Sequence, residues 1–324
     1  MQLKVGTFNV LNLALPGAPL YPGTSPYGEA EFNRKVDWIA LQLQRMDCHV
    51  VGFQEVWHEA ALQNAAMRSG RYNTGTVTAP GATGAGPRVA LATSLALAEP
   101  PVAITDFPPG LDHAVEGLSL PVGAFSRPVL RARLIIDAAR GRTATVFVAH
   151  LKSKRPIVDP AAPRLDAREE ALGRARALIR RAAEATALRF LVLDEIEATR
   201  HPVIVVGDLN DEELAVTNEI VQGNRPSRFF PGRREEHEKL WDVLLYSAIE
   251  IVLERSRKTI DFTNIFNGRY NTLDHILVSE ELYERNPDRI GQLVDLRFYN
   301  DHLLDGMLSD ERADRTRSDH GQVV

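Results

Sequence analysis

Apolar and polar positions alternate from the start of the chain. Leu3, Val5 and Thr7 stand against Lys4, Gly6 and Phe8, which predicts a strand over residues 3–13. A Pro- and Gly-rich loop (residues 16–28) follows, and then Phe32, Val36, Ile39, Leu43 and Met46 recur at the spacing of an amphipathic helix. Residues 49–53 form a short apolar run that ends in Gln54-Glu55, and residues 58–68 read as a second helix. The Gly/Ala-rich residues 74–87 read as a loop or hairpin connection. Strand patterns at residues 88–93, 102–107, 125–136 and 143–149 follow with no helix between them, so part of the sheet is antiparallel.

The longest helical pattern runs from Asp166 to about Arg200, with Asp166 and Glu169 spaced as a capping box. Leu172, Ala175, Ile179 and Ala182 predict its apolar face. Arg168, Arg174, Arg176, Arg180 and Arg181, interleaved with Glu169, Glu170 and Glu184, read as a solvated face more readily than as a nucleic-acid path. After Pro202, the unbroken β-branched run Val203-Ile204-Val205-Val206 predicts a strand buried on both faces. It runs into Gly207-Asp208-Leu209-Asn210-Asp211. The two carboxylates and the amide there suit either a functional site or a capped turn, and Asp211 reads as the cap of a following helix. A polar loop with Phe229 and Phe230 comes next, then short elements at residues 241–253 and 261–266, and strands at 272–278 and 293–299. The chain closes on Arg317-Ser318-Asp319-His320-Gly321-Gln322-Val323-Val324.

Composition narrows this picture. With 44% hydrophobic and 25% charged residues and no repeat or low-complexity linker, the 324 residues read as one soluble domain, 1–324. A net charge of −5 excludes a globally basic nucleic-acid binder but leaves room for a local basic groove. Cys48 is the one cysteine, so neither an internal disulfide nor a Cys/His zinc motif is available. No apolar run approaches the roughly 20 residues of a membrane span, and no secretory pattern precedes the first strand, so a cytoplasmic location is expected.

The polar residues of interest share one habit. Asn9, Glu55, His150, Asp208, Asn210, Asp274 and His320 each follow or interrupt an apolar strand. Converging strand ends would gather them into a cup of carboxylates, amides and imidazoles. Oxygen ligands such as Glu55, Asp208, Asn210 and Asp319 suit Mg²⁺ or Mn²⁺ and not zinc. Histidines without a serine or cysteine nucleophile motif point to acid–base or charge-stabilising work. Taken singly, each residue also has a local reading: Asn9 and Asn210 as turn formers, His150 as a core histidine, Asp319-His320 as a surface cap.

Taken in order, Thr7-Phe8-Asn9, Gly52-Phe53-Gln54-Glu55-Val56, Ala149-His150-Leu151-Lys152-Ser153-Lys154, Gly207-Asp208-Leu209-Asn210-Asp211, Leu273-Asp274-His275-Ile276-Leu277 and Ser318-Asp319-His320-Gly321 resemble the motif set of the endonuclease/exonuclease/phosphatase superfamily. The resemblance spans residues 7 to 321. It implies an α/β (α+β) four-layer sandwich in which two packed mixed β-sheets are flanked by helices. It also implies metal-dependent hydrolysis of a phosphate ester by direct attack of water. Carried over by position, Glu55 is the main ligand of a Mg²⁺ (or Mn²⁺), with Asn9 and Asp319 assisting. Asp208 orients or deprotonates the water, Asn210 contacts the phosphate, His320 paired with Asp274 stabilises the developing charge, and His150 assists the phosphate or the leaving group.

The ester itself is less sharply drawn. Gln54-Glu55-Val56-Trp57 departs from the Gln-Glu-x-Lys usual in abasic-site enzymes, and the disulfides of pancreatic-type DNases are missing. The run His150-Leu151-Lys152-Ser153-Lys154-Arg155 resembles bacterial nuclease-like members. It sets Lys152, Lys154 and Arg155 beside the expected site, with Arg127 and Arg131 as further candidates for a substrate-binding surface. The leading expectation is a nuclease with DNA or RNA as its substrate partner. The alternatives are a small-molecule or lipid-headgroup phosphoesterase and a catalytically silent binding domain on the same fold.

Overall fold

In the computed structural model, which describes residues 2–111, 122–163, 166–224, 241–255, 262–308 and 314–324, the chain begins with β1 (Val5–Leu13), α1 (Glu29–Met46), β2 (Val50–His58) and α2 (Glu59–Ser69). Five strands and a long helix follow: β3 (Thr76–Thr78), β4 (Thr83–Thr93), β5 (Val102–Asp106), β6 (Ala124–Asp137), β7 (Arg142–His150) and α3 (Ala167–Ile196). The remainder is β8 (Val203–Asp208), α4 (Val216–Gln222), β9 (Leu245–Ser247), α5 (Ala248–Arg255), β10 (Asn264–Phe266), β11 (Arg269–Asn271), β12 (Asp274–Ser279), β13 (Phe298–Tyr299) and β14 (Gln322–Val323).

Two six-stranded mixed sheets result, ordered β13-β14-β1-β2-β4-β3 and β5-β6-β7-β8-β12-β9. In each sheet one central pair is parallel, β1 with β2 and β7 with β8, because a helix lies between the two strands in sequence. The sheets pack face to face through Val50, Val89 and Leu91 from the first and Val148, Ile204, Val206 and Ile276 from the second. Gly52 sets how close they come: a Cβ there would lie 2.5 Å from Val206 Cγ2. Helices α1 and α2 cover the outer face of the first sheet, and α3 covers that of the second, giving the four layers expected. No described helix is long and apolar enough to cross a membrane.

Several element expectations are corrected. Of residues 293–299 only Phe298–Tyr299 form a strand, with Arg297 beside them exchanging backbone hydrogen bonds with Val324 at 2.8 and 2.9 Å. The helix expected from Asp211 begins at Val216, and the Asp211 carboxylate instead takes Thr217 Oγ1 (2.7 Å) and Arg181 Nε (3.0 Å). Asp166 does cap α3, accepting from the amides of Arg168 and Glu169, whereas Glu169 turns to Arg176 and the amide of Asp159. The apolar face of α3 is the largest difference. Leu172 and Ile179 are 54% and 41% exposed, and Gly173, Ala177, Arg181, Glu184, Leu188 and Val192 face inward. Small residues win the inner face because the strap at residues 156–158 runs so close: a Cβ on Gly173 would sit 3.0 Å from the carbonyl of Ile157. The loop carrying Phe229 and Phe230 lies outside the described residues.

Candidate active site

Register places three of the expected groups side by side. Asp208 ends β8, His150 lies opposite it at the end of β7, and Asp274 lies opposite it at the start of β12. Gly207 makes this junction possible: its φ of 152°, and the 2.0 Å that would separate a Cβ from the carbonyl of Ala149, leave room only for hydrogen. From the other sheet, β1 and β2 both lose register near the same level, β1 between Asn9 and Leu13 and β2 between Phe53 and Val56. Non-glycine residues sit in the left-handed region at both breaks, at φ 49° for Leu11, 54° for Asn12 and 64° for Glu55. Such breaks turn side chains out of the pleat and cluster at functional sites. The C-terminal residues 318–320 complete the ring, tied down by Ser318 Oγ donating to the Asn9 carbonyl at 2.6 Å.

Asp208 is the hub. Its Oδ2 accepts from Asn9 Nδ2 at 3.1 Å and faces His150 Nε2 at 3.4 Å and His320 Nε2 at 3.8 Å. Its Oδ1 accepts the Asn210 amide at 2.9 Å. Asn210, at φ 57°, gives one side-chain N–H to the Leu151 carbonyl at 3.0 Å. His320 Nδ1 meets Asp274 Oδ2 at 2.7 Å. Asp274 Oδ1 and His150 Nδ1 are buried atoms with no hydrogen-bond partner among the described residues.

The two histidines are driven apart in charge. Burial opposes protonation of His320, but Asp274 and Asp208 outweigh it and raise the pKa well above the ordinary imidazole value. Burial, reinforced by Arg127, His320 and Lys152, drives His150 well below that value. Burial lifts Asp208 to about 7, with His320 opposing the shift and Asp274 adding to it. Charge is thus favoured on the His320 ring and disfavoured on the His150 ring and the Asp208 carboxyl.

These groups open into a cleft of about 580 Å³ that Glu55, His150, Asp208, Asn210 and His320 line together with Arg127 and Lys152. Asn9 lies beneath it, through its bond to Asp208. Asp319 is exposed, and its charge is felt by Glu55. The expected cations beside it are engaged within the protein: Lys152 Nζ donates to the carbonyls of Ser153 and Arg155 at 3.0 and 2.9 Å. Lys154 Nζ pairs with Asp211 Oδ1 at 3.2 Å. Arg131 is spent on Glu195 and Glu99. Sequence reasoning missed Tyr21, Asn12 and Arg88, which also line the cleft. Tyr21 and Asn12 sit in or next to an irregular loop with no periodic pattern, and Arg88 opens what reads as an ordinary strand.

Glu55, Asn9 and Asp319 offer the oxygen donors that suit a hard divalent cation, although the Asn9 amide oxygen already accepts the Leu11 amide at 3.1 Å. Burial and then Asp319 raise the Glu55 carboxyl, the mark of two acids sharing a small space. Glu55 commits Oε2 to the Asn12 amide at 3.0 Å, which fixes its orientation. One ligand-capable atom each of Asp208, Asp274 and His320 also falls within a 4.8 Å cluster. Within that trio His320 Nδ1 and Asp274 Oδ2 already engage each other at 2.7 Å.

Comparisons with known proteins bear on the family and the fold. A model described as "Endonuclease/Exonuclease/phosphatase family" matches residues 6–320. No curated protein matches the sequence. Among solved structures, truncated Caenorhabditis elegans TDP2 is similar at TM-score 0.56 and 15% identity, covering 98% of this chain and 94% of its own. D. rerio TDP2 complexed with single strand DNA product gives 0.50 and 15%, with coverages of 99% and 96%. The Bacteroides thetaiotaomicron mannosyl-6-phosphatase Bt3783 gives 0.51 and 14%, with 99% and 98%. At these identities the likeness establishes the fold.

Proposed function

The chain belongs to the endonuclease/exonuclease/phosphatase family, and from that premise we propose that residues 1–324 form one domain that works as a Mg²⁺- or Mn²⁺-dependent phosphodiesterase, a nuclease acting on DNA or RNA. The observation that carries this reading is the His320–Asp274 pair at 2.7 Å, with the free ring nitrogen turned toward Asp208 at the cleft. Glu55, with Asn9 and Asp319, would hold the cation, whose charge lets a carboxylate-lined cleft accept an anionic ester.

The chain's own groups divide the remaining work. Asp208, oriented by Asn9 and the Asn210 amide, aligns a water against phosphorus and takes its proton. As the water oxygen bonds to phosphorus, the bond to the ester oxygen on the opposite side breaks. Charge grows on the phosphoryl oxygens, where His320 presents an N–H held by Asp274 and Asn210 offers its second amide N–H. Neutral His150 hydrogen-bonds the phosphate or the departing oxygen.

A substrate panel tests the reading: supercoiled plasmid, single-stranded DNA, RNA, a lipid-headgroup phosphodiester, a sugar phosphate and a chromogenic bis-aryl phosphodiester, each with Mg²⁺, Mn²⁺ or EDTA. Metal-dependent, EDTA-sensitive cleavage of a nucleic acid is expected. Turnover of only the lipid, sugar or aryl ester would remove the nuclease assignment. No turnover of any member with any metal would overturn the phosphodiesterase reading.

A further inference from the structure

Most arginines near the surface of this acidic protein have a carboxylate partner. Arg68 pairs with Asp37, Arg140 with Asp137, Arg174 with Glu170, Arg200 with Asp288 and Arg255 with Glu284. Arg88, Arg127 and Arg155 belong with the described arginines that do not, such as Arg142, Arg168 and Arg289, and are set apart from those by where they stand. All three line the catalytic cleft, and among the described residues no ion pair joins any of them to an acid. Arg127 gives one N–H to the Leu151 carbonyl at 3.2 Å, and its Nε is buried without a partner.

Arg88 reaches the cleft from β4, its Nε donating to the Gly81 carbonyl at 3.4 Å, and the wall that carries Arg127 and Arg155 is built from below. Glu184 on α3, only 1% exposed, accepts the amide of Ser126 at 2.8 Å through one oxygen and that of Lys152 at 2.6 Å through the other. One buried carboxylate thus fixes the residue before Arg127 and the loop that leads to Arg155. Arg181, also buried, holds the Lys152 carbonyl at 3.2 Å. The Lys152 ammonium binds the Arg155 carbonyl and so shapes its loop. Tyr21 stands at the same wall, edge-on to Trp57 with ring centroids 5.1 Å apart, and its hydroxyl is close enough to Arg127 and Arg155 to feel both. Holding uncompensated like charges together is unfavourable unless an anion joins them, and guanidinium forks suit phosphate oxygens.

We infer that Arg88, Arg127 and Arg155, with Tyr21, form a second phosphate subsite beside the reacting one, so that the substrate carries another phosphate near the scissile diester. This rests on the phosphodiesterase reading and deepens it. A strand supplies that group as its next internal phosphate, and a short oligonucleotide supplies it as a terminal monophosphate. A zwitterionic lipid headgroup supplies neither.

The test compares kcat/KM for a dinucleotide with one phosphodiester, the same dinucleotide bearing a 5′-phosphate, one bearing a 3′-phosphate, and a trinucleotide whose non-scissile linkage is either a phosphodiester or a neutral methylphosphonate. Wild type is expected to prefer substrates with the second charge at least tenfold over their neutral counterparts. The Arg88→Gln/Arg155→Gln double variant should lower that ratio about tenfold, and the Arg88→Lys/Arg155→Lys variant should recover part of it. Preference for a terminal phosphate alone would identify an end-directed enzyme, and equal preference for the internal phosphate a strand-directed one; either supports the subsite. Turnover of every substrate with no preference for a second charge, or a ratio unmoved in the Gln variant at unchanged melting temperature, would overturn it. Turnover of none would instead count against the phosphodiesterase reading.

Discussion

The floor and the cationic wall of the cleft use charge in opposite ways. On the floor, Asp208, Asp274 and His320 are all 8% exposed or less, and each polarises the next across 2.7 to 3.8 Å. On the wall, Arg155 is exposed and Arg88 half-buried, and neither has a carboxylate within ion-pair distance among the described residues. Groups that satisfy one another from inside the protein stay aligned when substrate is absent, which suits a charge-stabilising device. Groups that lack an internal partner gain most when an anion arrives. On the proposed reading, the same cleft keeps its reaction machinery separate from its means of recognition.

The largest break in this division should come from the hub. Asp208→Asn keeps the shape of the floor but removes the base, and kcat should fall by about 10³-fold, checked by single-turnover cleavage with Mg²⁺. A comparable change in KM with kcat preserved would place Asp208 among binding groups instead.

Acidity should separate the two regions next. Burial raises Asp208 to about 7, and its working form is the carboxylate, so kcat/KM should drop as pH falls through that value. The bound cation shifts the midpoint lower, so a rate profile in Mn²⁺ and Mg²⁺ should show an acid limb at or below 7. The arginines of the wall stay charged throughout and should leave KM flat over the same range.

A smaller effect should arise behind the floor. Lys35, 0% exposed, donates to the carbonyls of Arg315 at 2.9 Å and Arg317 at 3.3 Å. It thereby anchors the segment that delivers Asp319 and His320. Lys35→Met leaves two carbonyls without a donor and should cost about 1–3 kcal/mol of stability at pH 9. Burial lowers the amine to about 7 in the fold, whereas the unfolded chain keeps its proton to roughly pH 10. The unfolded state therefore binds the extra proton between those values, and wild-type stability relative to Lys35→Met should rise across that window. Urea melts at pH 6, 7.5 and 9 read this directly; a gap that does not widen with pH would mean the amine is not buried in charged or neutral form as described.

The smallest change should come from beneath the wall. Glu184→Gln keeps the side chain's shape but turns one accepting oxygen into an NH2, so only one of the Ser126 and Lys152 amides keeps its acceptor. KM for an oligonucleotide should rise a few-fold with kcat little altered, since neither amide touches the reacting groups.

How much of this was legible in the sequence follows the same split. The floor was readable because strand ends are rigid and register does the rest: Asp208 and His150 close apolar runs, Asp274 opens one, and neighbouring strands bring them abreast. The wall was not. Lys152 and Lys154 read as substrate cations from their place in the chain, yet the loop folds both ammoniums onto partners of its own. Glu184 and Arg181 read as members of a solvated face, because a helical pattern cannot show that loops will bring amides and carbonyls to a buried carboxylate and guanidinium. Lys35 sits among apolar helix positions, and only the return of residues 315–317 explains its burial. Periodicity reports which side of an element faces inward, and it is least informative where the inward side is polar.

The most direct measurement is the single-turnover rate of His320→Ala on an end-labelled oligonucleotide at saturating enzyme with Mg²⁺, beside binding of the same strand in Ca²⁺. Loss of the clamped imidazolium should slow cleavage about 100-fold or more while affinity stays within twofold of wild type. Cleavage at the wild-type rate would contradict the assignment of the floor to charge stabilisation, whatever the wall binds.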